Sequence, residues 1–521
     1  MFVLMNRRNF LKTALGAPLL CAGEPARAAT PKRPNVILLM ADDMGFSDIA
    51  PFGSEISTPN LTRLAEGGIR FTQFYNTPRC CPSRAALLTG LYSQQAGIGH
   101  MIEDLGVPGY RGFLNDQCVT IAEVVRSGGY HALMSGKWHV GEERPHWPVD
   151  RGFEHYFGLI SGSDNYFRPV RKMALDNTPW HPNDPNFYMT DAFGSHAVNF
   201  VREYARKPDP YFLYVPFTAP HWPLHAHPDD IAKHRGKYLK GWDRLREERH
   251  ERQISAKLLD PKWKMTPRDS KVPAWEDVAN KKEWDLRMAV FAAQVERLDW
   301  NIGKILDAVT ETGTAENTLI MFLSDNGGCA EENIKGENSV PPGPAESFTS
   351  YRRPWANASN TPFRLYKHWV HEGGISSPFI AYWPSVIRAK GALHREPAHI
   401  TDLMATIVDV SGVPYPSQYK GRQIHPLEGK SLLPTFQGRR RELHEAIFWE
   451  HEGNKAIHQG QWKLVSRYPD RWELYNMEED RTELHDRAAD LPKKVASLQT
   501  QWQDWANRSN VVPWSQLKHH A

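Results

Sequence analysis

The run Asn35-Val36-Ile37-Leu38-Leu39-Met40, closed by Pro34 on one side and Asp42-Asp43 on the other, is apolar almost throughout rather than at alternate positions. A strand that shows neither face to water reads this way, and it needs a covering layer on both sides. Tyr211 to Val215, Thr318 to Leu323 and Phe379 to Trp383 repeat the pattern, and Tyr130 to Met134 repeats it more weakly. Trp284, Met288, Phe291, Val295, Leu298, Ile302 and Ile305 recur at steps of three and four residues, which predicts an amphipathic helix over Trp284 to Val309 with a stop near Gly313. That helix feeds directly into the run at Thr318. The alternation predicts an α/β fold, a large doubly wound mixed sheet flanked by helices, with ligands bound beyond the carboxyl ends of its strands. Two of the strongest runs end in polar pairs, Asp42-Asp43 and Asp325-Asn326, and those ends mark where a site belongs.

A chain of 521 residues, 40% of them hydrophobic, can bury one large core and carry a smaller unit beside it. After Gly438 the runs shorten to Ala446–Glu450, Trp462–Val465 and Trp472–Tyr475, followed by a polar helix from Leu491 to Asn507. This predicts a small C-terminal α+β unit over 438–521, a short antiparallel sheet plus a helix, behind a large domain over 29–437 that holds those strand ends. The charged, His-, Trp- and Pro-rich stretch His225 to Lys282 reads as a long surface insertion.

The formal charge of +3 is small for this length, and no basic block tracks a phosphate backbone, so nucleic acid is not an expected partner. Arg7-Arg8-Asn9-Phe10-Leu11-Lys12 precedes an apolar run, Thr13 to Ala22, that is shorter than the roughly 20 residues of a membrane helix. With Ala26-Arg27-Ala28 offering a cleavage point, residues 1–28 read as a twin-arginine signal peptide. The expected partner is the twin-arginine export machinery, and the expected product is a bacterial periplasmic or secreted protein with no membrane association in its mature form. Removing the leader takes Cys21 with it and leaves Cys80, Cys81, Cys118 and Cys329, which form neither a disulfide scaffold nor a zinc spacing.

Asp42, Asp43, Asp325 and Asn326 offer only oxygen, and three carboxylates in one crevice repel unless a hard cation lies between them. Calcium is the natural occupant and magnesium the second choice. The segment Cys80-Cys81-Pro82-Ser83-Arg84-Ala85-Ala86-Leu87-Leu88-Thr89-Gly90 matches C-x-P-S-R followed by T-G. Here the chain resembles the formylglycine-dependent sulfatases of arylsulfatase type, in the alkaline phosphatase superfamily, from about Asn35 to the C-terminal unit. The resemblance implies that a separate formylglycine-generating enzyme converts Cys80 to formylglycine (3-oxoalanine), and that residue 80 completes the metal site. A thiolate attacking sulfur would leave an adduct with no easy exit, whereas a hydrated aldehyde carries one hydroxyl to attack and a second whose deprotonation expels sulfate. Arg84 would steady the hydrate, and the metal would lower the pKa of the attacking hydroxyl.

Further segments resemble the family in the same order. Gly136-Lys137-Trp138-His139 implies that Lys137 contacts sulfate and His139 drives release of the covalent intermediate. Pro220-His221-Trp222-Pro223 assigns His221 to the leaving oxygen, a task that suits an imidazole titrating near neutrality. Asp325-Asn326-Gly327-Gly328 is the second metal segment, with Asp325 also assisting deprotonation, and Lys367 opens a K-x-x-x-x-E-G-G element in which it bridges sulfate and leaving group. Glu372 and the glycines after it are expected to shape a turn.

The implied activity is hydrolysis of a sulfate ester, either an aryl sulfate or a sulfated carbohydrate. The alternative is a phosphonate monoester or phosphodiester hydrolase using the same nucleophile. A sulfated-glycan binding protein without catalysis is disfavoured, because every catalytic residue type is present. His100, Asp164 within Ser163-Asp164-Asn165-Tyr166, His225, Arg364 and His368 are the candidates for reading the substrate beyond its sulfate.

Overall fold

The computed structural model of the chain describes residues 33–517, so the export signal expected over 1–28 lies outside the described residues. A mixed sheet of ten strands runs through the centre. Its core is five parallel strands in the spatial order Thr318–Ser324, Asn35–Ala41, Tyr211–Pro216, His131–Ser135 and His155–Leu159. Phe379–Tyr382 joins antiparallel to Thr318–Ser324, and short strands extend both edges.

Asn35–Ala41 shows why the apolar run is continuous. Ile37, Leu39 and Ala41 face one hydrophobic cluster with Met288, Phe291, Val295 and Leu298, while Val36, Leu38 and Met40 face another with Leu87, Leu88 and Val125. Each face is covered by helices, so every position gains from burial, about 1.5–3 kcal/mol for a large aliphatic side chain. The covering helix on the first face spans Lys281–Glu311, longer than the apolar spacing predicts because its polar first turn carries no core contact. Gly313, at φ +67°, follows its end in a left-handed turn that a residue with a Cβ adopts only under strain.

Beyond the sheet, Ile447–His451, Asn454–Gln459, Trp462–Ser466 and Trp472–Asn476 form a four-stranded antiparallel sheet, and the helix Pro492–Arg508 packs on it, with Phe448 and Trp505 stacked at 5.2 Å. The strand Asn454–Gln459 is the one that the apolar runs do not reveal. Its buried positions include Asn454 and His458, so its inward face is partly polar.

The stretch His225 to Lys282 is not a surface insertion throughout, which corrects the expectation. Its helix Gly241–Ser255 sends Trp242 fully into the core, edge-on to Trp275, Trp284 and Trp355. Arg249, also buried, pairs with Asp48 at 2.7 Å and with Glu55 at 2.9 Å. A few large side chains and one satisfied arginine anchor a segment whose average composition is polar.

Candidate active site

The register of the parallel strands brings the two polar pairs together. Met40 stands opposite Leu323 and Ala41 opposite Ser324, so Asp42-Asp43 and Asp325-Asn326 leave the sheet side by side. The Asp43 amide donates to Asp325 Oδ1 at 3.1 Å, and Asn326 Nδ2 donates to Asp43 Oδ1 at 2.8 Å. All four side chains are buried. Asp43 sits at φ +63°, a left-handed conformation that costs a non-glycine residue about 1–3 kcal/mol and collects at functional sites.

The signature segment forms the helix Cys80–Thr89, stopped at Gly90, which takes φ +70° while its amide donates to Ala86 O. No side chain caps the first turn, so its free amides and the helix dipole favour an anion beside residue 80. Ser83 Oγ donates to Asp325 O at 2.5 Å and ties the helix to the Asp325-Asn326 pair. Arg84, wholly buried, reaches Asp325 Oδ2 at 2.9 Å, Asp42 Oδ2 at 3.3 Å and the Lys137 carbonyl at 3.0 Å.

Cys80 Sγ lies 3.5 Å from His139 Nδ1. A hydrogen bond from Cys81 holds the Cys80 thiol well below its usual range, helped by the charges of Lys137 and Lys367 against the opposing cost of burial. Burial lowers His139 to about 4, so its imidazole is uncharged at neutral pH. His139 adopts φ +58°, and its ring rests on Gly162, where a Cβ would come within 2.5 Å of the ring. Glycine is therefore required there.

Lys137 Nζ meets Asp42 Oδ2 at 2.6 Å. Lys367 Nζ lies 3.0 Å from Asp43 Oδ2 and 3.4 Å from His221 Nε2, and His221 Nε2 lies 3.4 Å from the same Asp43 oxygen. His221 Nδ1 is 2.5 Å from the Trp222 carbonyl, which can only accept, so that nitrogen carries the proton. Burial pulls Lys367 down, but Asp43 and Glu331 outweigh it and raise it well above its ordinary value.

The cage fits a divalent cation. Asp42 Oδ1 and Asn326 Oδ1 are buried with no hydrogen-bond partner, and the donor set is oxygen throughout, which suits a hard ion. Burial opposes ionisation of Asp42, yet Lys137, His221 and Arg84 bring it to about 2. Burial, and then the Asp42 charge, pushes Asp325 far above the carboxylate range. Two carboxylates forced apart in this way are what a cation between them would reconcile.

The substrate-reading candidates divide. The His368 amide donates to Pro78 O at 2.6 Å, two residues before Cys80, and His100 precedes Met101, whose sulfur accepts from Arg79 Nε at 3.4 Å. The other three are engaged in the protein's own fold. His225 is fully buried, with Nδ1 accepting from the Tyr166 amide and Nε2 facing Ser347 O; Asp164 accepts from the amides of Asn165, Val170 and Arg171; Arg364 pairs with Glu473 at 2.6 Å. Glu372 lies in a short helix rather than a plain turn, and it pairs with Lys463 at 2.8 Å. Among the described residues, Cys80, Cys81, Cys118 and Cys329 are free.

Sequence reasoning passes over Glu331. Its carboxylate accepts from Trp222 Nε1 at 2.7 Å, pairs with Arg79 at 3.2 Å and lies 3.8 Å from Lys367 Nζ. It lies in a polar loop with no motif of its own, so only the tertiary arrangement reveals it.

Residues 34–413 match the family model described as Sulfatase, and residues 363–507 match the one described as N-sulphoglucosamine sulphohydrolase, C-terminal. An uncharacterized sulfatase of Schizosaccharomyces pombe is 35% identical over 480 residues, covering 84% of this chain and 86% of that protein. An arylsulfatase of Klebsiella aerogenes is 33% identical over 482 residues, covering 84% of this chain and 100% of that protein. The crystal structure of Ps i-CgsB in complex with k-i-k-neocarrahexaose superposes with a TM-score of 0.68 at 25% identity, over 91% of this chain and 93% of that one. The chain belongs to the sulfatase family, within the alkaline phosphatase superfamily, and is a sulfuric ester hydrolase.

Proposed function

We propose that this sulfatase releases inorganic sulfate from aryl sulfates or sulfated carbohydrates through a formylglycine hydrate at position 80, with calcium, or magnesium as second choice, held by Asp42, Asp43, Asp325, Asn326 and residue 80. The observation that carries the reading is the placement of Cys80. It sits buried at an uncapped helix start, 3.5 Å from the His139 imidazole and beside an oxygen cage ringed by Lys137, Lys367 and Arg84. The name of the Klebsiella relative supports the aryl reading, and the saccharide complex of Ps i-CgsB supports the carbohydrate one.

When bound, the divalent ion would supply positive charge against sulfate and acidify a nearby hydroxyl. Lys137 and Lys367 bind and orient the sulfate. One hydroxyl of the hydrate gives its proton to Asp325 and forms an oxygen–sulfur bond as the bond from sulfur to the leaving oxygen breaks, and the Lys367–His221 pair gives that oxygen its proton. His139, uncharged at neutral pH, takes the proton of the second hydroxyl. The carbon–oxygen bond to sulfate then breaks with its electrons leaving on sulfate, the aldehyde returns, and water restores the hydrate.

Export by the twin-arginine route to the periplasm or beyond completes the proposal, supported by Arg7-Arg8 before a short apolar run. Because that route carries folded proteins, the oxidation of Cys80 by the formylglycine-generating enzyme precedes export. Mass spectrometry of the peptide spanning Thr77 to Arg84 from active enzyme tests the core of it. Sulfur replaced by oxygen at position 80 is the expected result, and an active enzyme with an intact thiol there overturns it. Parallel assays on an aryl sulfate, a sulfated monosaccharide and an aryl phosphonate define the substrate class, with a decisive preference for phosphorus contradicting the sulfate reading.

A further inference from the structure

Away from the oxygen cage, three imidazoles surround one carboxylate. Glu452 Oε1 lies 3.2 Å from His100 Nδ1 and 3.3 Å from His451 Nε2, while Glu452 Oε2 lies 3.2 Å from His368 Nδ1. One ligand atom from each of His100, His451 and Glu452 falls within 4.8 Å of the others. The separations are those of hydrogen bonds, but the alignment is not. His100 Nδ1 and both ring nitrogens of His451 are buried without a hydrogen-bond partner, and the His451 side chain has 0% exposure. Polar nitrogens kept from water and from each other are costly, and a cation between them and the carboxylate would give them all a partner.

Three parts of the chain build this cluster. His100 lies in the loop beyond the signature helix, His368 follows Lys367, and His451 and Glu452 come from the tight turn that joins Ile447–His451 to Asn454–Gln459. The side chains of His100, Glu452 and His368 are 13%, 20% and 27% exposed, which leaves an ion a way in. Arg79 is the cation nearby that opposes binding, and Glu331 engages it at 3.2 Å.

We propose that His100, His368, His451 and Glu452 form a second metal site, one that takes a zinc-class divalent ion. Imidazole nitrogens with a single carboxylate suit Zn²⁺ and its late first-row neighbours, whereas calcium takes oxygen ligands. The two sites therefore sort ions by chemistry. An ion here ties the C-terminal hairpin to the loop after the signature helix and to the segment carrying Lys367, so it stiffens the rim around residue 80.

The experiment uses full-length enzyme, stripped with chelator, reloaded with excess calcium and titrated with zinc chloride by calorimetry. Uptake of about one equivalent with a raised thermal midpoint is expected. His100→Gln and His368→Gln, at the more exposed ligands, should each weaken zinc affinity at least ~10-fold while calcium content and circular dichroism stay unchanged. His139→Gln keeps the zinc site and separates it from the Cys80-Cys81-His139 cluster. No uptake by the calcium-loaded enzyme, or uptake indifferent to the His100 and His368 variants, overturns the proposal. A raised KM in those variants without zinc binding in the wild type also overturns it, and assigns the histidines to substrate instead.

Discussion

Lys137 Nζ lies 2.6 Å from Asp42 Oδ2, and both side chains are wholly buried. The same oxygen carries Arg84 at 3.3 Å, while Asp42 Oδ1 has no donor at all. One oxygen is held by fixed cations and the other is left free, an orientation that would suit a ligand of the proposed ion.

In the proposed mechanism Lys137→Ala removes a sulfate contact, and it leaves the buried Asp42 charge with one cation fewer. We expect kcat/KM to fall by ~10²–10³, as for the loss of one donor to transition-state charge. The calcium-free protein should lose about 3–5 kcal/mol of stability, the usual cost of breaking a buried pair, and the calcium-loaded protein less. Chemical denaturation with and without calcium measures the difference; equal losses in both conditions contradict the account.

Stripping the divalent ion should lower the thermal midpoint and abolish turnover, because Asp42 and Asp325 then repel across a buried gap. Calcium should restore both in a saturable way, by ~2.7 kcal/mol at a hundredfold excess over Kd. Asp325→Asn should shift the calcium dependence to higher concentration. A midpoint insensitive to calcium would argue against the cage.

His139→Ala should separate the two halves of the reaction. In the proposed mechanism attack needs the hydrate and the cations, whereas release needs the base that lies 3.5 Å from residue 80. The expected record is a burst of leaving group close to one per enzyme, then a stall, with a sulfated adduct in the intact mass spectrum. Steady slow turnover without an adduct would move the release role elsewhere.

Glu331→Gln tests the residue that no motif reveals. Burial opposes its ionisation, but Lys367 and Arg79 hold it down to about 2, so it is charged throughout the working range. The amide keeps the bond to Trp222 and loses the charge that steadies Lys367. A drop of ~10-fold in kcat/KM with unchanged unfolding is expected; a loss of stability with normal kinetics would make the role purely structural.

Stability should fall on acidification through two buried histidines that are not part of the cage. Burial holds His399 and His458 uncharged down to about 3, against an ordinary 6.5. Between those values the unfolded chain binds protons that the fold does not, so the stabilisation is complete above about pH 6.5 and is lost as pH falls. Each contributes a slope of about 1.4 kcal/mol per pH unit within the window. Denaturant midpoints from pH 7 to 4.5 should show this, and His458→Gln should remove one proton from the uptake on unfolding.

Much of the fold is legible because burial on both faces forces a continuous apolar run, and Asn35–Ala41, Tyr211–Pro216 and Thr318–Ser324 all obey it. Cys80, Lys137, His139, His221 and Lys367 are legible as types in an order. Other features depend on distance rather than pattern. Asn454–Gln459 hides because its buried face includes Asn454 and His458, and the helix Gly241–Ser255 hides because one tryptophan and one paired arginine anchor an otherwise polar stretch. His225, Asp164 and Arg364 have the composition of a binding site, but their polar atoms are already bonded within the fold. The local sequence determined which segments must be buried and which functional groups the chain offers in order, since hydrophobicity and functional groups belong to single side chains. Only the tertiary structure decided that Asp42 faces Lys137, that Glu331 backs Lys367 and that Glu452 gathers three histidines, because those relations arise where separate segments of the chain pack against one another.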